Sequence, residues 1–282
     1  MKPAALLLAL ALLSPLHALA QANDIPSAAP AHQSPEQQAQ RGRELLDQMV
    51  TALGGNAWLN RRDASVLGRT AAFFRGAPTG FVVNYSGFRR FATDDQTDAE
   101  RIGFITDKSM ILPGKKIDIV QIWVDKQGYE ITYKGKTPLP ADQVADYYRR
   151  QTHSIESVIH DWLKQPDVMV LYEGTTSVER RLADKITVLS ANNDAVTIEL
   201  DASSHLPLRR TFEWRNNTFQ DHDEDQEEYD DYHTIQGLPT ALTLSRYHNG
   251  DLTSQRFITK ITYNLGLSPQ LFNPDNLLKK KQ

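Results

Sequence analysis

The chain has 282 residues, no cysteine and a formal net charge of −4. The lack of cysteine excludes disulfide bonds, cysteine-ligated zinc and thiol catalysis. Its basic residues are scattered in pairs such as Arg89-Arg90 and Arg209-Arg210 rather than gathered in one patch, which argues against a nucleic-acid partner.

The first 20 residues have the order of a secretory signal peptide. Lys2 precedes an apolar run from Ala4 to Leu13, and Ala18-Leu19-Ala20 supplies the small residues that a signal peptidase requires. The run is shorter than the roughly 20 residues that span a bilayer. We therefore predict a cleaved signal peptide over residues 1–20, an exported protein, and no transmembrane segment.

The next stretch is rich in Pro, Ala, Ser and Gln, which cannot bury enough apolar surface to fold. We predict a disordered spacer over residues 21–38, with ordered structure beginning near Pro35, and a single domain over residues 39–282. Apolar residues at helical spacing from Arg41 to Leu53, followed by Gly54-Gly55, predict an amphipathic helix.

Beyond Asp63 the apolar period changes to two, which is typical of strands. A second helix is predicted over Pro140 to Gln165. Its expected apolar stripe consists of Val144, Tyr148, Ile155, Ile159 and Trp162. Turn signals such as Lys126-Gln127-Gly128 and Asn249-Gly250 join neighbouring strands as hairpins. The pattern predicts a mainly β (α+β) fold, a strongly curved antiparallel sheet or open barrel with helices covering one face. The predicted strands are Phe81 to Tyr85, Arg101 to Thr106, Ile117 to Val124, Tyr129 to Tyr133, Lys185 to Ser190, Ala195 to Leu200, Leu208 to Trp214, Ala241 to His248 and Leu252 to Asn264.

Two clusters have residue types that bind metals. His153, Glu156 and His160 would share one face of the second helix, but the apolar stripe lies nearly opposite, so we favour a solvated face over a zinc or iron site. The segment from Asp221 to Asp231 is strongly acidic, and carboxylates are the ligands that calcium prefers. The segment nevertheless lacks the central Gly and the final Glu of an EF-hand loop. We favour a solvated loop or a guard for an edge strand, with a basic partner as the leading functional alternative.

Motifs for catalysis and cofactor binding are missing from the sequence. It has no G-x-S-x-G elbow, no phosphate-binding loop and no dinucleotide fingerprint. We therefore predict no catalytic residue, no metal, no cofactor and no enzymatic activity.

Residues 169–275 carry a familiar series of strand, turn and strand-end signals. The pattern resembles the outer-membrane lipoprotein-sorting proteins of the LolA/LolB-like superfamily, which includes the sensor domain of RseB. The resemblance implies an unclosed antiparallel barrel whose helices cover a concave face that accepts acyl chains. The segments that carry it are Tyr172-Glu173-Gly174, Val196 to Asp201, His205 to Arg209, Tyr232, Gly237-Leu238-Pro239, Ile261 to Asn264 and Leu271 to Pro274.

The leading hypothesis is an exported, non-enzymatic binding protein for lipid, lipoprotein acyl chains or other apolar cargo in the periplasm of a Gram-negative cell. A periplasmic protein-interaction or sensor module is the first alternative, and a metal-dependent hydrolase is the second. Eight apolar residues are candidates for binding the cargo, and the same residues could equally belong to the hydrophobic core. The candidates are Val196, Ile198 and Leu200 on one strand face, Phe257, Ile261 and Tyr263 on the last strand, and Ile155 and Trp162 on the second helix.

Overall fold

The computed structural model describes residues 34–107, 115–216 and 221–276, so the predicted signal peptide and most of the predicted spacer lie outside the described residues. Thirteen strands form one antiparallel sheet. They are β1 (Asp63–Phe74), β2 (Ala77–Arg90), β3 (Ala99–Asp107), β4 (Lys115–Val124), β5 (Gln127–Thr132), β6 (Gly135–Pro138), β7 (Met169–Val178), β8 (Arg181–Leu189), β9 (Ala195–Asp201), β10 (Pro207–Asn216), β11 (Asp221–Ile235), β12 (Leu238–His248) and β13 (Asp251–Tyr263). The α-helices are α1 (Pro35–Ala52), α2 (Asn56–Leu59), α3 (Ala141–Thr152) and α4 (Ile155–His160).

The first and the last strand along the chain, β1 and β13, pair with each other in the middle of the sheet. Because β1 pairs with β13, the strand order is β6-β5-β4-β3-β2-β1-β13-β12-β11-β10-β9-β8-β7. In the part of the chain that the structure describes, β6 and β7 form the two edges and the sheet stays open. The predicted curved, unclosed antiparallel sheet is confirmed.

Five of the hairpins turn on two residues that both have positive φ. Such turns match the right-handed twist of the strands that they join. The predicted Asn249-Gly250 turn is confirmed, whereas the turn between β4 and β5 falls at Asp125-Lys126, just before the predicted position. The other three turns are Arg75-Gly76, Glu179-Arg180 and Gln236-Gly237.

Helix α1 begins with a capping box. The Ser34 hydroxyl accepts a hydrogen bond from the Gln37 backbone, and the Gln37 side chain accepts one from the Ser34 backbone. Residues 35–38, assigned to the spacer by composition, therefore form the first turn of the helix. A Cβ at Gly42 would lie 2.7 Å from Val170 Cγ1, so this glycine lets α1 approach β7 closely.

The predicted helix over Pro140 to Gln165 is three separate pieces. Helix α3 ends at Thr152, Ser154 caps α4 through a hydrogen bond from the Ser157 amide (3.1 Å), and a 3-10 helix covers Trp162–Lys164. The break changes the helical phase. The side chains that become buried are Tyr147, Ile155, Val158 and Trp162, while the predicted stripe residues Val144 and Tyr148 are only half-buried.

The main hydrophobic core lies between β7–β10 and the helices α1 and α4. Its helical side is built from Leu45, Leu46 and Met49 of α1 and from Val158 of α4, all fully buried. None of the helices among the described residues is long and apolar enough to cross a membrane.

Trp162 should be a large contributor to stability. Its ring is buried and meets the His153 ring edge-on, with the centroids 5.4 Å apart. Truncation to alanine should therefore lower the free energy of unfolding by about 3–5 kcal/mol. Met169, which is 57% exposed, supplies the control, and Met169→Ala should change it by less than about 0.5 kcal/mol. Urea denaturation measures both, and equal losses would contradict this placement of Trp162.

Candidate ligand-binding site

Three adjoining cavities lie between the concave face of the sheet and helices α2–α4. We call them the outer cavity (about 560 Å³), the apolar cavity (about 240 Å³) and the polar cavity (about 210 Å³). Glu156 and Arg89 line all three, and Arg256 lines both the apolar and the polar cavity. The three cavities therefore share walls under the helices.

The apolar cavity lies over the centre of the sheet, where β1 and β13 meet. Gly68 lets the Tyr85 ring, which lines this cavity, lie close to β1, because a Cβ there would be 2.9 Å from that ring. Ile155 of α4 covers the cavity from the helical side. The apolar side chains that line it from the strands include Val66, Ile102, Leu244, Ile258, Ile261 and Tyr263.

The eight predicted cargo-binding residues divide into three groups. Ile155, Ile261 and Tyr263 line the apolar cavity. Val196, Ile198 and Leu200 are each 0% exposed and pack with Trp162 in the hydrophobic core. Phe257 does not share a face with Ile261, so that part of the strand prediction is wrong.

A β-bulge explains the position of Phe257. Leu67 pairs with Lys260 and Gly68 pairs with Ile258, so Thr259 is an extra residue in β13, and its hydroxyl donates a hydrogen bond to the Leu67 carbonyl (3.0 Å). An extra residue reverses the alternation of faces along a strand. Ile258 therefore joins Ile261 on the concave face, and Phe257 points away from it.

The Arg61–Glu156 ion pair separates the outer cavity from the apolar cavity. Arg61 Nη2 donates to Glu156 Oε1 at 2.5 Å, and the guanidinium lies between the rings of Trp58 (4.4 Å) and Phe91 (4.5 Å). Burial lowers the pKa of Arg61. Desolvation alone would raise the pKa of Glu156, but Arg61 and Arg89 outweigh it and hold that pKa below its ordinary value.

Helix α3 covers the polar cavity through long side chains that reach the sheet. Tyr147 stacks on the Trp123 ring with centroids 4.1 Å apart, and its hydroxyl donates to Glu100 (2.8 Å). Arg149 lies 4.4 Å from the Trp214 ring centroid. Trp123 belongs to β4 and Trp214 to β10, which lie on opposite sides of the central β1–β13 pair. Helix α3 therefore bridges the two halves of the open sheet.

The acidic run from Asp221 to Asp231 is neither a solvated loop nor an edge strand. It belongs to β11, which lies between β10 and β12 inside the sheet. Asp225 is 0% exposed and accepts hydrogen bonds from Arg246 (2.9 Å), while Arg210 lies 3.5 Å away. Asp225 is thus paired within the chain, with arginines of the two neighbouring strands, and a separate basic partner for the run stays a prediction.

The predicted solvated face of the second helix is also wrong for His153. Its ring is buried and stacks on Phe212 (4.4 Å between centroids), and burial lowers its pKa. Glu156 turns to Arg61, whereas His160 stacks on Trp58. No group of three metal-ligating side chains occurs among the described residues, so this triplet gives no support to a metal site.

Sequence reasoning missed the arginines of the site. Arg61 and Glu156 are 95 residues apart, and nothing local marks them as partners. A signal did exist for Arg210 and Arg246, because both lie in predicted strands that flank the acidic run. Opposite charges on adjacent strands are a recognised form of cross-strand pairing.

Neither protein-family models nor curated protein sequences show a match to the chain. Solved structures with a similar fold include the following two. A DUF1329 family protein from Desulfovibrio piger aligns with a TM-score of 0.55 at 12% identity, over 85% of this chain and 99% of that chain. A putative outer membrane lipoprotein-sorting protein domain from Vibrio parahaemolyticus aligns with a TM-score of 0.53 at 11% identity, over 85% and 99%.

The chain shares the fold of these two proteins. The resemblance inferred from strand and turn signals is therefore confirmed at the level of the fold. A complex of MucA and MucB from Pseudomonas aeruginosa aligns with a TM-score of 0.30, which is too low to support any conclusion about this chain.

The Arg61–Glu156 pair should make stability depend on pH. Because the folded-state pKa of Glu156 is lowered, its contribution is complete above the unfolded value of 4.5 and is lost as the pH falls through the lowered pKa. Glu156→Gln should cost about 1–3 kcal/mol at pH 7, between the values for exposed and for buried pairs. It should also flatten the loss of stability below pH 4.5.

Melting temperatures measured from pH 7 down to pH 3 test this expectation. Asp47, which is exposed on α1, provides the control, and Asp47→Asn should follow the wild-type curve. A Glu156→Gln curve parallel to that of the wild type would show that this pair does not carry the pH dependence.

Proposed function

We propose that the protein is an exported, non-enzymatic binding protein for acyl chains of lipid or lipoprotein, or for a similar apolar cargo. The observation that carries the proposal is the apolar cavity on the concave face, which is lined by aliphatic and aromatic side chains and covered by helix α4. Each buried methylene contributes about 0.8 kcal/mol, so such a cavity binds a long chain without polar chemistry.

The fold and the N-terminal sequence support this proposal in different ways. The lipoprotein-sorting domain from Vibrio parahaemolyticus has the same fold. Residues 1–20 have the order of a signal peptide, which directs a chain to the compartment where such cargo is carried. We place the mature protein in the periplasm on these two grounds.

The polar groups around the cavities favour binding over catalysis. Glu100 accepts a hydrogen bond from Tyr147, Glu227 accepts one from Tyr229, and Glu156 is held by Arg61. A carboxylate that already accepts such bonds is a poor general base, because the bonds stabilise its ionised form.

A protein-interaction module remains the second candidate, and a separate observation favours it. The tip of the β1–β2 hairpin exposes Phe74 (69%), Phe81 (73%) and Val82 (59%). Exposed apolar side chains that cluster on one surface mark contact sites for proteins or membranes. This tip lies outside the three cavities, so the two functions are compatible.

Delipidated protein should bind fluorescent fatty acids with an affinity that rises with chain length, by a few tenths to about 0.8 kcal/mol per methylene. Ile261→Asp should weaken binding at least about tenfold, because it places a carboxylate where the chain would lie. Leu67→Asp is the matched control. Leu67 pairs with the neighbouring Lys260 but is exposed and lies outside the cavity, so this variant should bind like the wild type.

Fluorescence titration measures these affinities, and circular dichroism establishes that both variants fold. Equal affinity in Ile261→Asp and in the wild type would remove Ile261 from the site. The absence of saturable binding at every chain length, with no lipid in organic extracts of the purified protein, would defeat the proposal and favour the interaction module.

A further inference from the structure

The polar cavity is lined by five arginines that differ in how they are paired. Four of them have a carboxylate within salt-bridge distance. Arg256 has neither a hydrogen bond nor an ion pair with any residue that the structure describes. The paired arginines are Arg89 with Asp98 (3.4 Å), Arg150 with Asp146, Arg210 with Asp225 and Glu227 (3.5 Å each), and Arg246 with Asp225 (2.9 Å).

Arg256 faces the cavities rather than the outside of the sheet. It lies on β13 beside Leu244 and Thr70, and it lines both the apolar and the polar cavity. The side chain is exposed, and it lines these two cavities. Desolvation would lower its pKa, but the surrounding acidic groups, Glu100 first, raise it, so the guanidinium stays charged.

Arg210 adds further free donors at the same place. Its side chain is buried, and its Nη2 atom lies near Asp225 and Glu227. Its Nε and Nη1 atoms have no hydrogen-bond partner among the described residues. A buried donor without a partner costs free energy, which binding of an acceptor recovers.

The acidic neighbours leave room for an anion at Arg256. Glu100 and Glu227 lie beyond salt-bridge distance, and each already accepts a hydrogen bond from a tyrosine, Tyr147 and Tyr229 respectively (2.8 Å each). The negative charges of Glu100 and Glu227 weaken the long-range attraction between Arg256 and an anion. At contact, an incoming acceptor meets the unoccupied fork of N–H donors on Arg256, a geometry that suits carboxylate and phosphate.

We infer that the cargo is an anionic amphiphile whose carboxylate or phosphate group is bound by Arg256, with Arg210 nearby, while its chain lies in the apolar cavity. This inference rests on the proposed function and makes it more specific. Arg256 connects the two parts, because it lines both cavities and Ile258, two positions further along β13, lines the apolar one.

A comparison of palmitic acid with hexadecanol tests the inference on the mature chain. Both compete with a fluorescent fatty acid, and they share a chain while only the acid carries a charge. The wild type should bind the acid about 10- to 100-fold more tightly. Arg256→Gln should abolish this preference, because it should weaken binding of the acid much more than binding of the alcohol. Arg256→Lys, which keeps the positive charge but lacks the paired N–H donors of a guanidinium group, should retain part of the preference for the acid.

Arg69→Gln is the matched control, since Arg69 is an exposed arginine of the adjacent strand β1 and lines none of the three cavities. It should keep the full preference. Equal binding of acid and alcohol by the wild type would overturn the inference but leave the proposed function intact, and this result does not depend on the folding of any variant. Binding of neither ligand would overturn both.

Acetate and inorganic phosphate distinguish a head group from a free anion. Neither should displace the fluorescent fatty acid at millimolar concentration, because the chain supplies most of the binding free energy. Displacement by either one, together with loss of that effect in Arg256→Gln, would show a site for a small anion and overturn the assignment to an amphiphile.

Discussion

Ion pairs between arginines and carboxylates on the concave face constrain the rest of this structure. Arg210 of β10 and Arg246 of β12 both reach Asp225 of β11 diagonally across the sheet, and Asp146 of α3 adds a contact to Arg246 (3.5 Å). A one-residue slip of β11 would turn Asp225 to the other face and leave two arginines without their partner. Because an unpaired buried charge costs several kcal/mol, the same contacts fix the strand register and hold α3 over the polar cavity.

The helices are attached to the sheet in two different ways. Helices α1 and α4 bury aliphatic side chains such as Leu45 and Val158 in the main core, so displacing either one would expose a large apolar surface. Helix α3 buries Tyr147 and otherwise reaches the sheet through polar contacts, such as the hydrogen bond from Arg89 to Gln151 (2.6 Å). Water replaces polar contacts at lower cost than apolar ones, so α3 is held to the sheet less firmly than α1 and α4.

The features that could be predicted from the sequence are those encoded locally. Strand periodicity, the Asn249-Gly250 turn and helix α1 each depend on residues within one short segment. The features that were missed depend on partners far away in the sequence or on the effect of a single residue. Ser154 caps a new helix inside an apparently continuous helical pattern, and this break buries His153. The acidic run alone predicts a solvated segment. Its burial depends on the arginines of β10 and β12, which only the fold brings beside it.

The bulge at Thr259 shows how one inserted residue can join two kinds of chemistry in one site. In a regular strand, Arg256 and Ile261 would lie on opposite faces, because they are separated by an odd number of positions. The extra residue reverses the alternation, so Arg256 and Ile258 on one side of it face the cavities together with Ile261 and Tyr263 on the other. The concave face thereby gains a cation directly beside its apolar lining. A hydrophobicity pattern cannot show this, since it assigns the two halves of β13 to different faces.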